Sequence, residues 1–325
     1  MSDPDAPELI TTGPSAGPSV FEVHEVIPSA LAGERIDRVV ALVTGLSRVE
    51  ATALVVAGDV RVNGTAVTGK AHRLAEGDEV ELSWVAGRTE VELLADAAVD
   101  FTVVHEDDDV IVIDKPAGLV VHPGAGNTGG TLVRGLLHRY PAIAAVGDPA
   151  RPGIVHRLDK ETSGLMMVAR SAEAYDGLVE ALTAREVDRR YLALVWGTFD
   201  VPTGQIDAPI GRSMKDPTRM SVSERGREAL TNYVVRETYA EPVPLTLVEC
   251  KLETGRTHQI RVHMQAIGHP VVGDGRYRGD RQSFPMPRMF LHAAQLGFDH
   301  PVTGETLSFE SMLPPDLQGA LDRLS

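Results

Sequence analysis

From Phe101 onward the chain carries several strand-length apolar runs, at residues 110–113, 165–169, 191–196 and 245–252. Successive runs are often joined without a helical pattern between them. A parallel sheet needs a crossover, usually a helix, at each return. The fold class this predicts is α+β, with a mixed, mainly antiparallel sheet rather than a doubly wound parallel one. Residues 131–139 and 172–184 have helical apolar spacing and read as helices. At 325 residues and 43% hydrophobic, the chain is long enough for two domains, each with a core.

Charge divides the chain. The formal net charge is −15, which taken alone argues against a nucleic-acid partner. Residues 33–75, however, carry six basic and four acidic side chains, and residues 251–295 carry seven and three. Residues 76–109 carry one basic and twelve acidic. Two segments are thus net positive, and RNA is not excluded. The 251–295 segment is expected to border the functional cleft. The single cysteine, Cys250, falls in an apolar alternating stretch and reads as a buried strand thiol. With no disulfide possible within the chain, a reducing cytoplasm is the expected home. No apolar run reaches eighteen residues, so no membrane-spanning helix is expected.

Residues 1–19, with four prolines and two glycines, read as a disordered leader. A compact unit follows, at residues 20–85. A half-buried strand at 20–27 precedes a helix at 35–43. Ser47-Arg48-Val49-Glu50 then forms a capping box opening a second helix, which stops at Gly58. Val60-Arg61-Val62 reads as a strand, Asn63-Gly64 as a tight hairpin turn and residues 79–84 as a further strand. The pattern Arg35-Ile36-Asp37-Arg38, Ser47-Arg48, Gly58 to Gly64, Lys70 and Gly77-Asp78 resembles the S4-type (alpha-L) RNA-binding domain. The resemblance implies that Arg35, Arg38, Arg48 and Arg61 contact RNA phosphates; the plainer reading is that they solvate a small domain. Residues 86–100 are acidic and irregular and read as a linker to a second domain at 101–325.

The most informative run is Gly153-Ile154-Val155-His156-Arg157-Leu158-Asp159-Lys160-Glu161-Thr162-Ser163-Gly164-Leu165. It lies between a Pro/Gly-rich loop and an apolar strand. Arg157 and Lys160 favour the charged form of the carboxylate between them. An ionised carboxylate there can serve as nucleophile, base or metal ligand. Chemistry alone leaves a structural Asp–Arg pair equally open.

Four ordered motifs resolve this by resemblance. His156-Arg157-Leu158-Asp159 with Thr162-Ser163-Gly164 resembles the central motif of the RluA-type RNA pseudouridine synthases. Ile113-Asp114-Lys115-Pro116-Ala117-Gly118 with Val121-His122-Pro123 resembles their first motif. Arg189-Arg190-Tyr191 through Gly197 resembles the segment with their active-site tyrosine. Leu252-Glu253-Thr254-Gly255-Arg256-Thr257-His258-Gln259-Ile260-Arg261-Val262-His263 resembles their third, continued by Gly268 to Asp274. Nearly the whole chain is covered, and it is most similar to the ribosomal large-subunit synthase D branch.

The resemblance implies a pseudouridine synthase catalytic domain that isomerises uridine in structured RNA, with large-subunit ribosomal RNA or a ribosome precursor as partner. It implies Asp159 as the catalytic aspartate, Tyr191 as the tyrosine that stacks on the target base, and Arg256 as the arginine that ion-pairs with the aspartate. Each role makes physical sense. A carboxylate can stabilise oxocarbenium character at the ribose. A flat ring can confine a uracil that must turn before rejoining, and a guanidinium forks onto a carboxylate. A stacked target base must first be flipped out. His156 and Arg157 are expected to position the loop or touch phosphate, Arg261 to bind RNA, with pairing to a surface acid as its plainer reading, and Lys115 to be structural.

Other readings are weaker. His156, His258 and His263 suggest half a zinc site, but no paired cysteines supply the rest, so no metal is expected. Gly124-Ala125-Gly126-Asn127-Thr128-Gly129 is formally a dinucleotide motif. No strand runs into it, and Asp148 lies in a Gly-Asp-Pro loop, so no cofactor is expected. A non-catalytic RNA-binding or ribosome-assembly protein would use the same basic surfaces, but has no need of Asp159, Tyr191 and Arg256 together. A monomer is expected, since no surplus amphipathic helix is evident.

Overall fold

The computed structural model describes residues 20–44, 46, 48–85, 93–122, 130–213, 216 and 219–325. The leader, Ser47 of the capping box, residues 86–92 of the linker and the Gly124–Gly129 run lie outside the described residues, as does the Arg48 side chain. The chain divides into two compact units, with the boundary between residues 92 and 93. Residues 93–100, read from sequence as linker, belong to the second unit. Leu93 and Val99 pack against its main core, and the Asp96 amide donates to the Arg134 carbonyl.

The first unit contains strand β1 (Val20–Val26), helices α1 (Ile36–Thr44) and α2 (Arg48–Ala57), and strands β2 (Val60–Val62), β3 (Thr65–Ala66) and β4 (Glu79–Val85). Its sheet order is β1-β4-β2-β3, and the β1–β4, β4–β2 and β2–β3 pairs are antiparallel. Asn63 and Gly64 both have positive φ, 51° and 76°, as a two-residue primed turn demands. The Asn63 side chain locks this turn to Asp78 and the Glu79 amide at 2.8 and 2.9 Å. Ile36, Val39, Val40, Val55 and Val80 form the core between helices and sheet.

The second unit is built on a nine-stranded sheet. Its strands are β5 (Thr102–Glu106), β6 (Val110–Lys115), β7 (Ser163–Ala169), β8 (Asp188–Trp196), β9 (Thr203–Asp207), β12 (Leu230–Tyr239), β13 (Leu245–Leu252), β14 (Leu291–Asp299) and β15 (Thr306–Glu310). A separate ribbon pairs β10 (Ile210–Arg212) with β11 (Met220–Val222). The order is β5-β6-β7-β14-β8-β13-β12-β9, with β15 on β14. Every described pairing is antiparallel except β7 with β14. The mainly antiparallel sheet read from sequence is therefore present.

Helices α3 (Leu132–Arg139), α4 (Ala172–Ala184), α5 (Gln259–Ala266) and α6 (Pro315–Leu321) complete the unit. The central strands are buried on both faces. In β7, Met166 and Val168 join the core beneath α3, while Leu165, Met167 and Ala169 join the one beneath α4. Cys250 is fully buried on β13, and burial raises its thiol pKa, which fits an inert core residue.

The parallel junction of β7 and β14 is two residues wide, Ser163 against His292 and Gly164 against Ala293. Gly164 has φ 112°, and a Cβ there would lie 2.3 Å from the Ala293 carbonyl oxygen. Both the backbone angle and the close approach require glycine. Gly164→Ala is expected to cost about 2–4 kcal/mol in urea-unfolding stability through strain and backbone displacement. A variant as stable as the wild type would show that the strands separate freely here.

Candidate active site

The loop between Ile154 and β7 is held from three directions. Leu158 is 4% exposed and plugs the core under the sheet. Lys115, wholly buried, donates from Nζ to the carbonyls of Pro116, Leu119 and Lys160 at 2.8, 2.9 and 3.2 Å. Burial lowers its pKa to about 8, against the upward pull of Asp159 and Glu161. Arg288 donates to the Glu161 carbonyl at 3.1 Å and the Ser163 hydroxyl at 3.3 Å, and its other edge forks onto Asp316 of α6. The Thr162 amide closes a turn onto the Asp159 carbonyl. The loop backbone is thus fixed while the Asp159 side chain is left to face a cavity.

That cavity is lined by Asp159, Tyr191, Arg256, His258 and Arg261 over an apolar floor of Leu158, Leu252, Ile260 and Leu291. Asp159 Oδ2 accepts from Arg261 Nη1 at 2.8 Å. Arg261 turns its other edge to Asp274, with Nε to Oδ2 at 2.6 Å and Nη2 to Oδ1 at 3.0 Å. Asp274 is 2% exposed. Burial alone would lower the Arg261 pKa; the Asp274 and Asp159 carboxylates outweigh it and raise it. Asp159 Oδ1 has no hydrogen bond among the described residues, and His258 Nε2 lies 3.9 Å from it.

This corrects one assignment. The guanidinium that pairs with Asp159 belongs to Arg261, not Arg256. Arg256 lines the cavity, but its Nε donates to the Glu228 carbonyl at 2.8 Å, beside the like charges of Arg227 and Arg185. Arg261 comes from α5, one turn beyond the loop that carries Arg256. Two carboxylates already engage it, so it has no free fork for phosphate. Arg261 lies in a wholly buried stretch of α5, where an arginine must be paired, and that burial is set by the fold rather than by the sequence pattern.

Tyr191 sits on β8 between Cys250 and Ala293. It is 6% exposed, and its hydroxyl makes no hydrogen bond to a described residue. Burial raises the phenol pKa, opposed by the charge of Arg189 two residues upstream on the same face. Arg189 is itself buried, with Nε unpartnered.

The histidines part company. His156 is turned inward, where its Nε2 accepts from the Met167 amide at 3.0 Å. Burial lowers its pKa to about 3. It is therefore neutral and structural, not a phosphate contact. His263 is fully buried and pins α5 through the Thr231 hydroxyl and the Ala208 carbonyl, both at 2.9 Å. Gln259 organises the Arg256 loop, accepting from the Thr254 hydroxyl and the Arg256 amide. Tyr277, not read from sequence as a site residue, lies under the Arg261 guanidinium, whose carbon is 5.0 Å from the ring centroid. Asp107, Asp109 and His300 lie close enough together to hold a cation. Asp107 instead accepts two backbone amides, and His300 Nδ1 accepts from Val302 and Thr303, so the group shapes turns.

Of the expected RNA-contacting residues, Arg157 is exposed at the cavity, 3.3 Å from His122 Nε2. In the first unit Arg35 forks onto buried Asp37, and Arg38 pairs with Glu34. Arg61 is exposed on β2.

Comparison with known proteins decides what kind of site this is. A family model described as RNA pseudouridylate synthase matches residues 109–266, and one described as S4 domain matches residues 34–80. Ribosomal large subunit pseudouridine synthase D of Xanthomonas campestris pv. campestris is 44% identical over 315 residues, covering 92% of this chain and 91% of the relative. The chain belongs to the RNA pseudouridine synthase family. The synthase is also 44% identical to Bacillus subtilis YlyB, described as an uncharacterized RNA pseudouridine synthase, over 90% of this chain and 94% of that protein. Among solved structures, human RNA pseudouridylate synthase domain containing 1 superposes with a TM-score of 0.55 at 29% identity. That match covers 68% of this chain and 87% of the human chain.

Two stability measurements follow for the synthase. Arg261→Gln strands Asp274 in the interior and is expected to cost about 3–5 kcal/mol in urea unfolding, whereas Arg256→Gln, less buried, is expected to cost under about 1 kcal/mol. Equal losses would contradict the reassignment. For His156, the folded pKa of about 3 lies below the ordinary histidine value of 6.5, so on acidification the unfolded state takes up the proton first. Stability should fall by about 1.4 kcal/mol per pH unit between those values from this group alone. His156→Gln should remove that share of the slope; an unchanged slope would place the titration elsewhere.

Proposed function

We propose that this synthase converts uridine to pseudouridine in structured large-subunit ribosomal RNA through Asp159, with no cofactor. The observation that carries the reading is the asymmetry of the Asp159 carboxylate. Oδ2 is held by Arg261 and Oδ1 is left open toward a cavity that Tyr191 also lines. The isomerisation breaks the bond from ribose C1′ to uracil N1 and forms one from C1′ to C5. The C5 hydrogen leaves as a proton, and N1 takes one up. Asp159 Oδ1 stabilises the electron-poor ribose, and Tyr191 walls the detached ring against escape. The base reaches the cavity by flipping.

The named targets of relatives called large subunit pseudouridine synthase D support the ribosomal substrate. Arg157 and Arg256 at the cavity, with Arg61 on the S4-type unit, are proposed to neutralise phosphates, Arg256 beside Arg227 and Arg185. A cytoplasmic monomer is proposed, and the single buried cysteine suits a reducing compartment.

The test is tritium release from unmodified large-subunit ribosomal RNA labelled at uridine C5, without added metal or nucleotide. The wild type is expected to release tritium, and Asp159→Asn to release none while binding the RNA equally well. Release by the variant at the wild-type rate would remove Asp159 from the chemistry. Failure of the wild type on every large-subunit fragment, with binding intact, would favour a binding protein.

A further inference from the structure

The open oxygen of Asp159 faces a histidine whose protonation is fixed from behind. Tyr277 is 4% exposed. Its hydroxyl oxygen accepts from the Met220 amide at 3.1 Å and lies 2.9 Å from His258 Nδ1. The phenol proton has no other acceptor among the described residues, so it is donated to Nδ1. A neutral imidazole accepting at Nδ1 carries its hydrogen on Nε2. Nε2 is the atom that faces Asp159 Oδ1, at 3.9 Å. Both side chains are about one-sixth exposed, 16% and 17%.

The backbone holds His258 there at a cost. It caps the N-terminus of α5 with φ 59° and ψ 24°, a left-handed conformation that few residues other than glycine, asparagine and aspartate adopt readily. Its side chain makes no capping hydrogen bond. Strain of this kind persists where the surroundings over-determine it and gathers at active sites. The charges facing the ring are Asp159, Arg261, Arg276 and Asp274. Burial lowers the His258 pKa, the first of these carboxylates raises it, and the ring is neutral at neutral pH.

We propose that His258 is a positioning residue for Asp159. Tyr277 fixes its tautomer, and its Nε2–H closes onto Oδ1 when RNA fills the cavity. With Arg261 on Oδ2 and His258 on Oδ1, the carboxylate cannot turn over and is held ionised while it faces the ribose. The 3.9 Å separation is within the range that catalytic hydrogen bonds close as they tighten on substrate. Through the Met220 amide the relay ends on β11, in the ribbon that carries Arg212. Contact of that ribbon with RNA would therefore be transmitted to the carboxylate. The proposal rests on Asp159 being the catalytic carboxylate.

Two substitutions separate positioning from mere structure. Glutamine reaches as far as Nε2 with an amide donor but tolerates φ 59° poorly. Asparagine tolerates that angle but reaches only as far as Nδ1. Single-turnover tritium release at saturating RNA, RNA affinity and the ¹⁵N NMR tautomer of His258 are measured for the wild type, His258→Gln, His258→Asn and Tyr277→Phe, with Asp159→Asn as control. The expected NMR result is an Nε2–H tautomer in the wild type and mixed tautomers in Tyr277→Phe. Single-turnover rates should fall about ten- to a hundredfold in His258→Asn, the value of a hydrogen bond to a charged group, and by about two- to fivefold in Tyr277→Phe, where part of the ring population keeps the Nε2–H tautomer. His258→Gln should stay within a few fold of wild type, and RNA affinity should be unchanged throughout. An Nδ1–H tautomer in the wild type, His258→Asn faster than His258→Gln, or losses confined to affinity would overturn the proposal. Full activity of Asp159→Asn would instead overturn the reading beneath it.

Discussion

Arg261 is shared by two carboxylates inside the catalytic unit, and the rest of the site depends on that sharing. Asp274 takes the inner edge of the guanidinium in a bidentate grip, and Asp159 takes one remaining nitrogen. A buried cation is tolerable only with such compensation, because desolvating an ion costs several kcal/mol and geometry must repay it. Asp274 is the anchor, almost wholly buried and rigid, and Asp159 is the exposed end. The arrangement delivers a positive charge to one oxygen of a carboxylate without filling the space in front of the other.

The sheet brings these residues together from distant parts of the chain. Asp159 arrives on the loop that enters β7, Tyr191 from the middle of β8, and Arg261 from the first turn of α5. The single parallel pairing in the sheet, β7 with β14, is short and needs glycine at 164 because the Ala293 backbone occupies the space of a side chain. Lys115 and Arg288 then hold the loop's carbonyls from two sides, so the backbone that presents Asp159 is fixed by contacts that do not touch the cavity.

Much of this was legible in the sequence. The strands and helices at 110–113, 165–169, 172–184 and 245–252 were readable, since long apolar periodicity reports burial directly. Cys250 was legible as a core thiol for the same reason. The motifs also located the loop with Asp159 and the strand with Tyr191. What failed was the choice of arginine. Arg256 and Arg261 lie five residues apart on either side of a helix start, and only the left-handed turn at His258 decides which of them points at Asp159. That backbone angle has no signature in a histidine. For His156 the pattern left loop positioning and phosphate contact both open, and only the fold shows that it faces inward to accept the Met167 amide. The S4-type unit was readable through its turns, but its arginines were not separable by pattern. Two of them, Arg35 and Arg38, pair with Asp37 and Glu34 nearby.

The central claim is that Arg261 holds one oxygen of Asp159 so that the other meets the ribose. The most direct measurement is a crystal structure of the wild-type enzyme with an RNA fragment whose target uridine carries fluorine at C5, which cannot leave as a proton. The account predicts a flipped nucleotide beside Tyr191, Arg261 still bonded to Oδ2, and Oδ1 as the carboxylate oxygen nearest the reacting atoms. A nucleotide bound with Arg261 released from Asp159, or with Oδ2 turned to the ribose, would contradict it.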